Sequence, residues 1–288
     1  MKLSEYDSFG PWVYEIDEDH PVPPYFREYL NPGETPLLCV KIPIKKERRN
    51  VKPEMILYDK LVSLYERHMQ ILECDNKDIR QKRIEYTDVC AIEHSITLLR
   101  GELKIFLPED VLSIEYNAVS KELMRSLAKI IRSRNAGEKD AKPISNVPKL
   151  QPFSFKFNSL LNRIREAEPD MQVITYQAER RVSYAANNVL MKLIEKVLAP
   201  TLLDAMYMSN GRELFILSQS DGLRFRSKPD YNLRYLYVPF GKIDSIAMSG
   251  PGKFDGIGEM AITVRSHRFA VLSEIENSGA ELLKRLVA

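Results

Sequence analysis

The sequence predicts a mainly-β α+β protein that contains two diverged copies of one small β-rich domain, each closed by a C-terminal helix. With 288 residues the chain exceeds the usual size of one hydrophobic core. Strand-like alternation interrupted by turns dominates both halves, and each half ends in helical spacing. The same order of segments occurs twice, which is the sequence signature of an internal repeat.

The first copy begins at Leu37, where short apolar stretches start to alternate with polar turns. Glu66 and Arg67 separate two such stretches and predict a hairpin. A strand is expected over residues 101–107, followed by a helix over 119–131. The predicted apolar stripe of this helix consists of Leu123, Leu127 and Ile130.

Residues 1–36 form a segment rich in proline, tyrosine and acidic residues, which excludes a long helix. We expect an extended arm that lies on the body of the protein through Trp12, Tyr14 and Phe26. The alternative is that these three aromatic residues contact another protein, because exposed tryptophan and tyrosine are enriched at interfaces.

Three prolines mark residues 135–152 as a linker between a first domain, 37–134, and a second, 153–288. The second domain opens with an amphipathic helix that begins near Phe157 and must stop before Pro169. A strand follows over 171–176. Another helix is expected near 185–198, so extra helices lie between the two β-rich copies.

The repeat itself is visible without gaps over residues 57–73 and 202–218. Asn210-Gly211 takes the turn position of the second copy, and Asn-Gly is a strong hairpin signal. Further matches equate Ile84 with Val238 and Gly101-Glu102 with Gly258-Glu259. The identical pairs in the ungapped stretch are Leu57/Leu202, Asp59/Asp204, Arg67/Arg212, Ile71/Ile216 and Leu72/Leu217.

Each copy resembles bacterial pleckstrin-homology-like (PH-like) domains. The likeness is carried by Val238-Pro239-Phe240-Gly241-Lys242-Ile243, by the Gly-Glu-Leu/Met-x-Ile strands and by the closing helices. It implies two partly open barrels of seven strands, each capped by its C-terminal helix, with a role in binding or assembly and without catalysis.

Composition narrows the class of function. A formal charge of +2 is far below that of a dedicated nucleic-acid binder, so we expect no nucleic acid. Cys39, Cys74 and Cys90 are widely spaced and predict reduced thiols. Neither a secretory signal nor an apolar membrane segment is visible, which favours the cytoplasm.

The most concentrated charge is the basic segment, Lys45, Lys46, Arg48 and Arg49. In PH domains that bind inositol lipids, basic residues of the first hairpin hold the phosphates, so these four residues are the candidate anion site. The alternative is a solvated loop, because four cations give an attractive field but no specific geometry.

Other candidate sites are weaker. Residues 250–258 are rich in glycine, but the expected next element is a strand, whereas a phosphate loop needs a helix N-terminus. Cys90 and His94 would stand about 13 Å apart on a strand, too far to chelate one ion. We therefore expect no catalytic residue, metal or cofactor.

Two functions remain open. The first is a non-enzymatic binding or scaffold protein that uses its two PH-like domains for contact with an unidentified protein partner or for self-assembly. The second is a binder of an anionic lipid or small molecule, or an enzyme, with a site between the domains. Attachment to a membrane surface is the weaker of the partner hypotheses.

Overall fold

A computed structural model describes residues 6, 9–75, 78–135, 152–185, 197–219, 222–225, 232–250, 252–274 and 283. The fold is mainly β and belongs to the α+β class, with several antiparallel sheets and a long helix, as the sequence predicts. Most of the predicted linker and of the predicted helix over 185–198 lie outside the described residues.

The first part of the chain forms a series of strands and then a helix. Their bounds are β1 (Tyr14–Glu15), β2 (Leu38–Pro43), β3 (Tyr58–Leu64), β4 (His68–Asp75), β5 (Asp78–Glu85), β6 (Ala91–Ile96), β7 (Arg100–Leu107), β8 (Asp110–Asn117) and α1 (Lys121–Asn135).

The second part begins with a helix. Its elements are α2 (Phe155–Ala167), β9 (Gln172–Gln177), β10 (Arg180–Arg181), β11 (Thr201–Leu202), β12 (Ala205–Ser209), β13 (Glu213–Ser218), β14 (Leu223–Arg224), β15 (Leu233–Pro239), β16 (Ser245–Met248), β17 (Ile257–Val264) and β18 (His267–Glu274).

The described strands form four sheets. Their orders are β1-β2-β3-β4-β5, β8-β7-β6-β15-β13-β12-β9, β16-β17-β18 and β10-β11-β14. The chain divides into two compact units. Unit 1 comprises Met1–Val89, Ile96–Lys104 and Ser113–Gly137, and unit 2 comprises Cys90–Ser95, Ile105–Leu112 and Glu138–Ala288. Unit 2 therefore takes most of β6 from the first repeat copy.

The registers of the hairpins agree with the predicted repeat. In the first copy Leu64 pairs with Met69, and the aligned residues of the second copy, Ser209 and Leu214, pair in the same way. The next strand agrees as well, because Met69 pairs with Ile84 and Leu214 with Val238. Since a slip of one residue would turn every side chain to the other face, this agreement fixes both copies to one pattern.

The turn after the fourth strand of each copy is also repeated. Tyr86 donates its backbone N–H to the carbonyl of Arg67, and Phe240 donates to the carbonyl of Arg212. A 3-10 turn follows in both, over Tyr86–Asp88 and Phe240–Lys242. This is the Val-Pro-Phe-Gly-Lys-Ile segment that carried the family resemblance.

The buried stripe of α1 differs by one position from the prediction. Its buried residues are Met124, Leu127, Ala128, Ile131 and Arg132. Leu123 and Ile130 are only half-buried, because the centre of the apolar face lies one residue further along the helix. Arg132 also belongs to the buried face, with 8% of its surface exposed.

The first four strands of each copy have an outer face, and a different element packs on it in each unit. In unit 1, Phe26 of the N-terminal arm is fully buried against Leu61 and Leu72. In unit 2, α2 places its buried Phe157 5.8 Å from the ring of Tyr176, a residue of β9. Ser154 caps α2, and its hydroxyl donates to the carboxylate of buried Asp204 at 3.0 Å.

We expect one buried helical leucine near the end of each copy to contribute strongly to stability. Leu127 and Leu283 are both helical and fully buried, and Leu283 packs in the main core of unit 2. Leu→Ala at either position should lower the free energy of unfolding by about 2–5 kcal/mol in denaturant titrations. Val119→Ala is the control, since Val119 is 72% exposed; equal effects of core and control variants would contradict the packing.

Candidate functional site

Strand β5 lies at the edge of its five-stranded sheet. Its eight residues, DIRQKRIE, are mostly exposed, apart from the buried Ile84. Within the described part of the chain, no strand pairs with its outer side. The outward N–H and C=O groups of such an edge are a template for a further strand.

The equivalent strand of the second copy already holds a partner strand. In unit 2, β15 lies between β13 and β6. The guanidinium of Arg234 contacts the carboxylate of Glu93 on β6, with Nε–Oε2 at 2.6 Å and Nη2–Oε2 at 2.5 Å. The side chains of Arg234 and Glu93 are 22% and 10% exposed, so this ion pair is largely shielded from water.

Arg80 is the residue of β5 that corresponds to Arg234. The register proves the correspondence, because Arg80 pairs with Glu73 in unit 1 and Arg234 pairs with Ser218, the residue aligned with Glu73. The Arg80 side chain is 73% exposed and contacts Asp75 at 3.1 Å. An exposed pair of this kind contributes at most about 1 kcal/mol.

A row of alternating charge leads to Arg80 across three strands. Lys60 pairs with Glu73 in register and also contacts it at 2.5 Å, and Glu73 lies opposite Arg80. Opposite charges on neighbouring strands stabilise a sheet. The row therefore ends in a cation at the open edge.

On the opposite face of the same sheet, a polar cavity of about 90 Å³ lies beside β5. The register assigns the cavity to this face. Gln70 pairs with Arg83 and Leu72 with Gln81, and these pairs are one residue away from the pair Glu73 and Arg80, so their side chains lie on the other side of the sheet. The lining residues are Tyr29, Asn31, Glu34, Tyr65, His68, Gln70, Gln81 and Arg83. A volume of this size holds about three waters or one polar side chain.

The walls of the cavity are fixed by stacking and hydrogen bonds. The Tyr65 ring stacks on the buried His68 ring with 4.8 Å between centroids. The amide of Gln70 donates to the carbonyl of Tyr29 at 2.9 Å, and its oxygen accepts from the Tyr65 hydroxyl at 3.3 Å. Glu34 Oε1 lies 4.0 Å from His68 Nδ1.

The neighbouring thiol does not have the ionisation of a nucleophile. Burial raises the pKa of Cys39, although the hydrogen bond with Ser63 opposes this effect. Burial also raises the pKa of Tyr65. Both groups are therefore protonated at neutral pH, whereas a catalytic cysteine reacts as the thiolate. The arrangement is suited to hydrogen bonding.

The structure places the four residues of the basic segment on an exposed loop between β2 and β3, and each of them contacts a neighbour. Lys45 forms an ion pair with Glu115 at 2.6 Å, and Arg49 one with Glu47 at 2.5 Å. Arg48 lies over the Tyr6 ring and donates to its carbonyl. Lys46 contacts the sulfur of Met55 at 3.6 Å. Anion binding by this segment stays a prediction.

The three aromatic residues of the arm occupy different environments. Trp12 is 41% exposed, whereas Phe26 is fully buried. Tyr14 belongs to β1, which pairs with β2, and its ring stacks on His20 at 3.9 Å. Phe26 is therefore committed to its own unit, and contact of Trp12 or Tyr14 with a partner stays a prediction.

The glycine-rich segment connects β16 to β17 as a hairpin. A groove of about 280 Å³ lies here, and its walls include Lys253, Phe254 and Glu259. A strand follows the segment, and within the described residues it brings no helix N-terminus to the groove. In unit 2, His94 lies on β6, with its ring 6.0 Å from that of Tyr235. Among the described residues, no group of three or more His, Cys, Asp or Glu side chains is arranged to hold a metal ion.

Within the described segments, no helix combines the length and apolar character needed to cross a membrane. A comparison with protein-family models and with curated protein sequences finds no match for the chain.

The open edge was not predicted from the sequence, and neither was the cavity. One signal was present, because the alignment that equates Ile84 with Val238 also equates Arg80 with Arg234. The alignment alone does not show that Arg234 forms an ion pair with Glu93, because the two residues are far apart in sequence. The cavity residues come from the arm and from β4 and β5, and no motif connects them.

Thiol reactivity tests the buried environment of Cys39. At pH 8 its raised pKa leaves less thiolate than at an ordinary cysteine, and its side chain is also less accessible than that of half-buried Cys74. We expect alkylation of Cys39 in the folded protein to be slower than that of Cys74, as measured by peptide mass spectrometry. Equal alkylation rates of Cys39 and Cys74 in the folded protein would contradict the burial of Cys39.

Vesicle sedimentation tests the basic segment. At about 1 kcal/mol per cation, four cations give only about millimolar affinity for an anionic surface. We expect no sedimentation of the wild type with acidic vesicles at about 0.15 M salt. Micromolar, salt-sensitive sedimentation that Lys45→Glu/Lys46→Glu abolishes would establish membrane binding instead.

Proposed function

We propose that the chain is a non-enzymatic binding protein, built from two PH-like domains, that holds an extended segment of a partner protein along β5. The observation that carries this proposal is the pairing of β15 with β6 in unit 2. The two copies share their register, yet β5 ends its sheet where β15 continues into another strand.

The strand order supports the PH-like assignment. In the first copy, β2 to β5 belong to one sheet, β6 to β8 are neighbours in another, and α1 follows. In the second copy, β9, β12, β13 and β15 are neighbours, β16 to β18 form a separate sheet, and helical Leu283 follows. Each copy thus supplies four strands, three strands and a helical residue in the order expected of a PH-like domain.

The cavity gives such a site specificity. A strand added to a sheet edge gains affinity from main-chain hydrogen bonds and specificity from pockets for its side chains. Gln81 and Arg83 of β5 line the cavity, so it lies within reach of a side chain on the added strand. A volume of about 90 Å³ suits a side chain better than a nucleotide.

Site-specific photo-cross-linking tests the proposal. A photoreactive phenylalanine analogue at Gln81 should trap a partner in cells, because Gln81 is an exposed residue of β5. The control is the same group at Ser126, an exposed position of α1. In the purified complex, amide hydrogen exchange over residues 78–85 should slow, since an added strand protects these amides.

Equal cross-linking from both positions, or unchanged exchange over β5 in the complex, would show that the partner binds elsewhere. The exchange measurement is the stricter one, because it requires new hydrogen bonds and not proximity alone.

A second candidate function, attachment to an anionic membrane, is favoured by one observation. Leu98 and Leu99, at the turn between β6 and β7, are 70% and 72% exposed, and Arg100 follows them. Exposed apolar residues beside cations can enter the headgroup region of a bilayer. The vesicle experiment separates this function from strand binding, which requires no lipid.

A further inference from the structure

We infer that the segment held by β5 carries an acidic side chain that forms an ion pair with Arg80. This inference rests on the proposed function and names the partner: a strand of another protein with Asp or Glu on the face of the sheet that Arg80 occupies. The joint between β15 and β6 in unit 2 is its template.

In the template, the arginine of the edge strand is neutralised by the strand that joins it. Arg234 makes two contacts with one oxygen of Glu93, at 2.5 and 2.6 Å. Such charge-assisted contacts are stronger than neutral hydrogen bonds. An arginine occupies the same register position in both copies. In unit 1, however, no described strand pairs with the outer side of β5.

Charge along the sheet points to the same chemistry. The row Lys60, Glu73, Arg80 alternates in sign, and an acidic residue on the next strand would continue the alternation. The second copy has Ala205 and Ser218 in place of Lys60 and Glu73. With a neutral or basic residue next to it, the Arg80 guanidinium would lose hydration water to the added strand and gain no counter-ion, which is unfavourable.

A second copy of this chain is a poorer occupant. The strand of the second copy that corresponds to β6 is β16, and it has Ala247 at the position of Glu93. It therefore offers no carboxylate to Arg80. β16 is also shorter than β6, with four residues against six.

Peptide selection on the full chain tests the inference. The probe is a randomised library of displayed eight-residue peptides, and binders are retained when they slow amide exchange over residues 78–85. We expect the retained peptides to be enriched in Asp and Glu at one position. Arg80→Glu should lower the affinity of these peptides roughly tenfold, the size of a partly screened charge-assisted contact. The variant should instead bind peptides with Lys at that position.

Two variants accompany Arg80→Glu. Arg80→Gln removes the charge without adding repulsion from Glu73 and Asp75, so a folding defect of the first variant would not decide the result. Arg125→Glu is the charge-matched control, because Arg125 of α1 also forms an ion pair, with Glu122 at 2.8 Å, and the change in net charge is the same.

Each outcome has a distinct meaning. Retained peptides without acidic enrichment, or with affinity independent of Arg80, would overturn the inference and leave strand binding intact. Failure to recover any peptide that protects residues 78–85 would overturn the proposed function as well. Concentration-dependent self-association that protects both 78–85 and 245–248 would identify a second copy as the occupant and would also overturn the inference.

Discussion

An antiparallel sheet leaves unpaired N–H and C=O groups along each outer strand, and this constraint organises the chain. Unit 2 meets it by pairing β15 with β6, a strand that the first repeat copy contributes. The ion pair between Arg234 and Glu93 at this joint is largely shielded from water. The same strand position in unit 1, β5, remains at the edge of its sheet. Two strands at equivalent register positions therefore differ in whether a further strand pairs with them in the described part of the chain.

The two copies differ on the outer faces of their first four strands. The pair Ser63 and Gln70 in the first copy corresponds to Met208 and Phe215 in the second, at an identical register. Polar residues permit a cavity under the N-terminal arm, whereas in the second copy Phe215 stacks on Tyr237 at 4.4 Å. The inward faces also differ, because Lys60 and Glu73 of the first copy correspond to Ala205 and Ser218 of the second.

Local patterns were sufficient for much of the fold. The hairpin at Glu66-Arg67, the one at Asn210-Gly211 and the helix that stops before Pro169 each depend on residues close in sequence, and all three are confirmed. The pairing of β6 with β15 is different, because strands so far apart share no periodic signal. The one-residue displacement in α1 has a similar cause: Leu123 and Met124 are both apolar, and packing chooses between them. The candidate site combines such long-range pairings, and neither the strand that carries Arg80 and Gln81 nor the site itself was predicted from the sequence.

An open edge must also avoid pairing with itself, and the charges of β5 accomplish this. Antiparallel pairing of β5 with β5 of a second molecule keeps corresponding faces together, so residues of the same parity meet. In the two registers with the greatest overlap, Arg80 meets Lys82 or Lys82 meets its own copy, and in a shorter register Arg80 meets Arg80. Like charges directly opposite destabilise a sheet, and lysine and arginine on edge strands are a common protection against aggregation. The same cations attract a strand of opposite charge, so protection from self-pairing and selection of an acidic partner follow from one set of residues.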